Sequence, residues 1–319
     1  MIQPPSLKVH SPYATLSPGL LFLLFAAIFT AVFIAGNLLG FVIAVAVYGR
    51  NVFAPLQHNS FTGTGLVNAI WILQVIGTSI PILIAPIIFE RGFMKRPGQY
   101  LHTGKKFPMV LILVVFCIMF VSSPLIEWLS NINEKMVLPK FLSGLQQWMR
   151  DSEDQISAEE KALFAMPTIF SMIKNVLFVG LFTAVAEEFM FRGVIQTIFL
   201  KWTRNQHAAV WVTAILFSAF HLQFFGFLPR LFLGVIFGYF VVWSGSIWPA
   251  VWAHFLNNGS AVVATYLYQH QKISVDPDNQ QVFNNALYIS SLVVVLFLIF
   301  LYRYLSPKQV QAGDGEELG

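Results

Sequence analysis

The sequence predicts an all-α fold, a polytopic bundle of about eight transmembrane helices. Three observations carry that expectation. Hydrophobic residues fill 56% of the 319 positions, charged residues only 11%, and the mean hydropathy is +0.68; a soluble domain carries about 25% charged residues. Apolar runs recur along the whole chain, and a spanning helix needs about 20 mostly apolar residues. Basic and acidic loops alternate between these runs, and loop charge sets orientation in a bilayer.

Taken in order, the candidate spans are 19–48, 66–90, 107–127, 168–200, 208–225, 231–244, 247–267 and 286–303, with ends good to about three or four residues. The first exceeds what a bilayer needs, so it tilts or protrudes, and it is expected to be retained as a helix rather than removed as a signal peptide. The sixth is short enough to be a partial span, and a seven-span chain is the alternative. Pro81 and Pro86 are expected to kink the second helix. Gly36 with Gly40, and Gly234 with Gly238, each share a helix face, the spacing that lets two backbones approach closely.

The organisation reads as three parts. Residues 1–167 hold the first spans and an amphipathic helix near 140–161, where Phe141, Leu145, Trp148 and Met149 recur at near-helical spacing; that helix is expected to lie on the membrane surface or to cap the bundle. Residues 168–267 form a helical core, and 268–319 hold the last span and a polar tail with Gly313 and Gly315, expected to be disordered. The loop at 91–106 carries Arg91, Lys95, Arg96, Lys105 and Lys106 without an acid, whereas 128–167 carries Asp151, Glu153, Asp154, Glu159 and Glu160. This bias places both termini in the cytoplasm of a cell, plasma or inner membrane. The net charge of +4 comes without a dense basic patch, so no nucleic-acid partner is expected; the expected partners are the lipid bilayer and a membrane-associated peptide or protein. One cysteine, Cys117, rules out an internal disulfide.

Against this apolar background a few polar residues stand out. An ionised side chain at mid-bilayer costs about 2.5–3.5 kcal/mol on insertion scales, so such groups face the bundle interior and work there. Glu188 and Arg192 are four apart and share a helix face, which allows an ion pair. Glu187 points about 100° away and is left without that partner. His221 and His254 follow apolar runs on two further helices, while His10, His58, His102, His207 and His270 read as ordinary loop or helix-edge residues. Asn258 is one turn from His254; Asn257 faces elsewhere.

A carboxylate, a histidine and a His/Asn pair make a hydrolytic set. Glu187 can take a proton from water, His221 can help hold that water, and His254 with Asn258 can stabilise an oxyanion. The same Glu187, His221 and His254 are also a ligand set for catalytic zinc, although no HExxH occurs. No cofactor is favoured, and zinc or another divalent metal remains the alternative. No GxSxG occurs, and Cys117 has no polar neighbour, which disfavours a nucleophilic serine or cysteine.

Three motifs in order, EExxxR at Glu187–Arg192, FxxxH at Phe217–His221 and HxxxN at His254–Asn258, resemble the CPBP family, which holds type II CAAX prenyl endopeptidases and bacteriocin-processing and immunity relatives. The resemblance spans about 168–265 and implies an α-helical intramembrane endopeptidase. It implies Glu187 as the water-activating base, His221 beside that water, and His254 and Asn258 as the oxyanion pair. Glu188, Arg192 and Phe217 fill the supporting positions. Two other readings stand beside it: a non-catalytic immunity or scaffold protein of the same fold, and a transporter with a proton relay. The transporter is disfavoured because no internal repeat is visible.

Overall fold

The structure is a computed structural model that describes residues 16–58, 60–61, 63–93, 100–277 and 282–307. His10, Lys95, Arg96 and the polar tail lie outside the described residues. Among these residues the chain is helical, with no strand. The helices are α1 (Pro18–Tyr48), α2 (Thr64–Phe93), the bent pair α3 (Val110–Val121) and α4 (Ser123–Glu134), α5 (Ser143–Leu163), α6 (Ile169–Thr203), α7 (Gln206–Phe220), α8 (Phe227–Ser244), α9 (Trp248–Gln269) and α10 (Asn285–Leu305).

Five of these segments are long and apolar enough to cross a membrane, counting α8 with the turn before it, and the α3–α4 pair, bent by 46°, makes a sixth. This qualifies the expected eight. Helix α7 has only 15 residues, short of the roughly 20 that a bilayer requires. Helix α9 has 22, but His254, Asn257 and Asn258 interrupt its apolar sequence. The segment suspected of being partial is instead a full helix. It starts at Phe227 rather than 231 because Pro229 and Arg230, which break an apolar run in sequence, sit in its first turn, where the missing proline N–H has no intrahelical partner to lose.

The chain alternates between two ends of the bundle. At one end, Gly19 faces Trp202, the Ile247 N–H donates to the His102 carbonyl, and the Trp248 indole donates to the Thr103 carbonyl. At the other, Asn133 donates to the Phe224 carbonyl and the Gln269 amide to the Phe164 carbonyl. Large apolar side chains point outward along the spans: Leu38, Phe41 and Val42 on α1, Phe120 on α3, and Phe297 and Phe300 on α10. Water would not tolerate such a surface, and hydrocarbon does.

Both glycine pairs pack within the chain. A Cβ on Gly36 would stand 2.5 Å from Pro81 Cγ and 2.8 Å from the Ile76 carbonyl oxygen, and Gly40 faces Leu73, so α1 lies directly on α2. Gly234 faces Ala214 of α7, and Gly238 faces Val210 and Gln196. A further close approach, Gly180 of α6 against Gly259 of α9, has no four-residue spacing to announce it. The expected amphipathic helix is present as α5. Its Phe141 lead-in and Leu145 are exposed, while Trp148 meets the Phe224 ring at 5.4 Å and Glu153 accepts from the Phe225 N–H, so the helix caps the turn at 221–226.

His102 departs from its expected place on the surface. It is part-buried at a left-handed φ of 52°, within hydrogen-bond reach of Thr197 Oγ1 at 3.3 Å. Burial and the nearby Lys105 pull its pKa down to about 4. The loop that carries it is pinned by Glu90 of α2, whose Oε1 accepts from the N–H groups of Tyr100 at 3.1 Å and Leu101 at 3.0 Å.

Candidate active site

Glu187 and Glu188 lie mid-way along α6, where the α-helical turn Thr183–Glu188 gives way to a π-helical stretch, Phe189–Ile195, that carries Arg192. Such wide turns gather at functional sites because they shift side chains off the regular register. The i, i+4 pair forms as the spacing predicts: Arg192 Nη1 donates to Glu188 Oε1 at 2.8 Å, and both side chains are wholly buried. A buried guanidinium needs more than one partner. Nη2 finds the Gly234 carbonyl of α8 at 3.1 Å, and the cation lies 4.5 Å from the Phe217 ring centroid and 5.4 Å from that of Phe237. The absence of a side chain at Gly234 lets α8 lie against Ala214 and Phe217 of α7.

Glu188 Oε1 also accepts from His254 Nδ1 at 2.8 Å. Because a carboxylate only accepts, the Nδ1 of His254 carries the hydrogen and its Nε2 points onward. That Nε2 lies 3.8 Å from Glu187 Oε2. His221, at the C-terminal end of α7, is held the same way: its Nδ1 meets the Phe217 carbonyl at 2.9 Å, and its Nε2 stands 3.8 Å from the same Glu187 Oε2. Two ring nitrogens on separate helices therefore converge on one carboxylate oxygen, itself buried and without a direct hydrogen-bond partner. A separation beyond 3.5 Å between such groups is a distance that water bridges.

Phe217 sits at the centre. Its ring meets His221 edge-on at 5.0 Å and His254 at 5.8 Å, and Phe237 stacks on His254 at 5.4 Å. These aromatics pack against both imidazoles. His254 lies only two turns into α9, yet at the depth of Glu187. The reason is that Ser246 and Ile247, just before α9, are fully buried beneath the His102 loop, so the helix begins inside the bundle.

Asn258 is placed differently from the rest. Its Nδ2 donates to the Val179 carbonyl of α6 at 3.3 Å, and its Oδ1 accepts from Asn257 at 3.1 Å. It lies one turn along α9 from His254, with one amide hydrogen committed to the π-helical stretch Val176–Phe182. Among the described residues, no three His, Cys, Asp or Glu side chains are gathered as a metal-binding group. The 3.8 Å separations exceed the roughly 3.4 Å edge of a tetrahedral zinc site with bonds near 2.1 Å.

Residues 169–260 match the family model described as type II CAAX prenyl endopeptidase Rce1-like. The match supports membership of the CPBP family that the three motifs resemble, and the chain is a multi-pass, all-helical membrane protein. Among curated proteins, the chain is 28% identical over 88 residues to the uncharacterized protein YpbD of Bacillus subtilis (strain 168). That alignment covers 26% of this chain and 42% of the relative, so less than half of the relative's length is spanned. No solved structure matches. The matched segment, 169–260, contains all the residues of the cluster just described. Sequence reading took Gly234 only as a packing position and missed Phe237, Gln223 and Arg230 around the cluster; Phe237 and Gln223 carry no charge, and Arg230 fell between two candidate spans.

Proposed function

We propose that this protein is an intramembrane endopeptidase that hydrolyses a peptide bond in a membrane-associated substrate, of which a prenylated C-terminal peptide is one class. The observation that carries the reading is the convergence of two imidazole Nε2 atoms on the buried Glu187 oxygen, at 3.8 Å each. Glu187 takes a proton from a water held between it and His221, and the hydroxide attacks the scissile carbonyl. The oxyanion is met by His254 and the free amide hydrogen of Asn258. To donate through Nε2, His254 must carry a hydrogen on each ring nitrogen, and the Glu188 carboxylate accepts the one on Nδ1, as a carboxylate does for histidine in a hydrolase triad. Glu187 then passes its proton to the leaving amine, and the ion pair of Glu188 with Arg192 keeps the second carboxylate out of the chemistry.

No step needs a metal. The set of Glu187, His221 and His254 is nevertheless the ligand set that a zinc reading would use, so the test includes a chelator. Wild-type protein and Glu187→Gln are assayed in detergent and in vesicles on membrane-anchored peptides, prenylated and plain. Cleavage that disappears in Glu187→Gln and persists under chelation supports the reading. Loss on chelation that zinc restores moves the three side chains to ligand roles. Equal behaviour of the two proteins overturns proteolysis at this site and favours an immunity or scaffold role. The proposed setting is a cell membrane with both termini cytoplasmic, supported by Arg91, Lys105, Lys106, Lys201, Arg204 and Arg303 at one end of the bundle and the acids of α5 at the other.

A further inference from the structure

Arg230 is a cation beside the candidate site that the chemistry above does not use. It lies on the first turn of α8, one turn before Gly234, whose carbonyl holds Arg192, and about two turns before Phe237, which stacks on His254. At about 5.4 Å per turn it belongs to the same wall of the site, on the side of His221. It is part-buried, and its charge reaches both His221 and Glu187.

Its contacts are those of a poised group. Nη1 donates to the Gln223 carbonyl at 3.2 Å, and Nη2 donates to the Gln223 side-chain oxygen. Both acceptors are neutral. The turn that supplies them is fixed from α5: Glu160 accepts from the Gln223 amide at 3.3 Å, Glu153 from the Phe225 N–H at 3.0 Å, and Arg150 lies over the Phe225 ring at 4.2 Å. Leu222 takes a left-handed φ of 54° to make this turn. A guanidinium held in place before a ligand arrives loses less freedom on binding it. The surroundings otherwise repel anions, since Glu153, Glu160 and Glu187 all face this region. A substrate carboxylate can enter only where a cation meets it, and the planar fork of arginine matches a carboxylate with two parallel hydrogen bonds.

We propose that Arg230 is a specificity-determining residue that binds a carboxylate of the peptide substrate at the His221 side of the site, displacing Gln223 from its guanidinium. The proposal rests on the proteolytic reading above. Two sources supply that carboxylate, the peptide C-terminus and an acidic side chain.

The test uses the full chain in lipid nanodiscs and three peptides on one membrane anchor: a free C-terminal acid, its C-terminal amide, and an amide with glutamate as its last residue. The expected result is a preference for the acid over the amide in kcat/KM of roughly 10–100-fold, the range of a charge-assisted hydrogen bond. Arg230→Gln collapses that ratio towards one through KM for the acid, and Arg230→Lys keeps part of it. Preference for the glutamate amide over the plain amide assigns the carboxylate to a side chain; equality of those two assigns it to the terminus. Anisotropy of the same labelled peptides on Glu187→Gln gives the acid-to-amide ratio of Kd without turnover. Proteolysis can therefore fail while this ratio still decides Arg230. Equal handling of all three peptides by both measures, or a preference that survives Arg230→Gln, overturns the proposal. If Arg230→Gln does not fold, the wild-type ratio and Arg230→Lys decide by the same criteria.

Discussion

Glu187 and Glu188 are neighbours in sequence with opposite surroundings. The second is tied to Arg192 and His254 at 2.8 Å each, and the first faces ring nitrogens that it does not directly touch. Their substitutions therefore separate. Glu188→Gln leaves the guanidinium of Arg192 buried without its countercharge, and removing one partner of such a pair costs about 3–5 kcal/mol. A marked fall in thermal unfolding midpoint in detergent is the expected outcome, before any effect on rate is considered. Glu187→Gln keeps the shape and leaves the Glu188–Arg192 ion pair in place. It is expected to leave the midpoint within a few degrees while lowering kcat by roughly 10²–10⁴, the span of general-base contributions. Cleavage kinetics and unfolding curves on the same two preparations check both. The pairing of Glu188 with Arg192 was legible from a spacing of four. The meeting of His221 and His254 at Glu187 was not, because spacing says nothing about which faces of three different helices meet.

Helix contacts carry the next set of outcomes. Gly36→Ala drives a methyl into Pro81 and into the Ile76 carbonyl. Backbone cannot yield as a flexible side chain does, so α1 must part from α2 at about 1–3 kcal/mol. Gly92→Ala is the control. Nothing lies within 4 Å of its added Cβ, and the change gains up to about 1 kcal/mol of helix propensity. Thermal melts of both variants separate packing from propensity. The loop against α6 brings a pH dependence. His102 is part-buried, with its pKa depressed to about 4. The folded state therefore binds fewer protons than the unfolded state between about pH 6.5 and that value. Its share of stability is present above the unfolded pKa and is lost as pH falls through this window, by about 1–3 kcal/mol. Unfolding midpoints followed from pH 7 to 4 should drop, and His102→Gln should flatten that slope.

At the scale of the whole molecule, the two ends differ in charge, and the chain returns to the basic end after each pair of helices. Reporter fusions placed at Gly104 and at Lys140 are expected to report opposite sides of the membrane, with Gly104 cytoplasmic. The same side for both would mean that the α3–α4 pair is re-entrant, a possibility its 46° bend makes worth measuring. The site's part-exposed group, His221, belongs to the end capped by α5, next to the 221–226 turn.

Composition alone determined that this chain is a helical membrane bundle, because hydrocarbon leaves helices and closed barrels as the only ways to satisfy a spanning backbone, and the apolar runs here are of helical length. The spacing within single helices also pointed to the Glu188–Arg192 pair and the two glycine faces, since residues four apart lie on one side of a helix. Tertiary structure decided the rest. It placed two imidazoles against one carboxylate, sent the Asn258 amide to Val179, turned His102 inward, and took Arg230 out of an apparent loop onto the wall of the site. Each of these depends on the rotation and depth of one helix against another. Packing of side chains across the bundle sets those quantities, and no periodicity within a single helix encodes them.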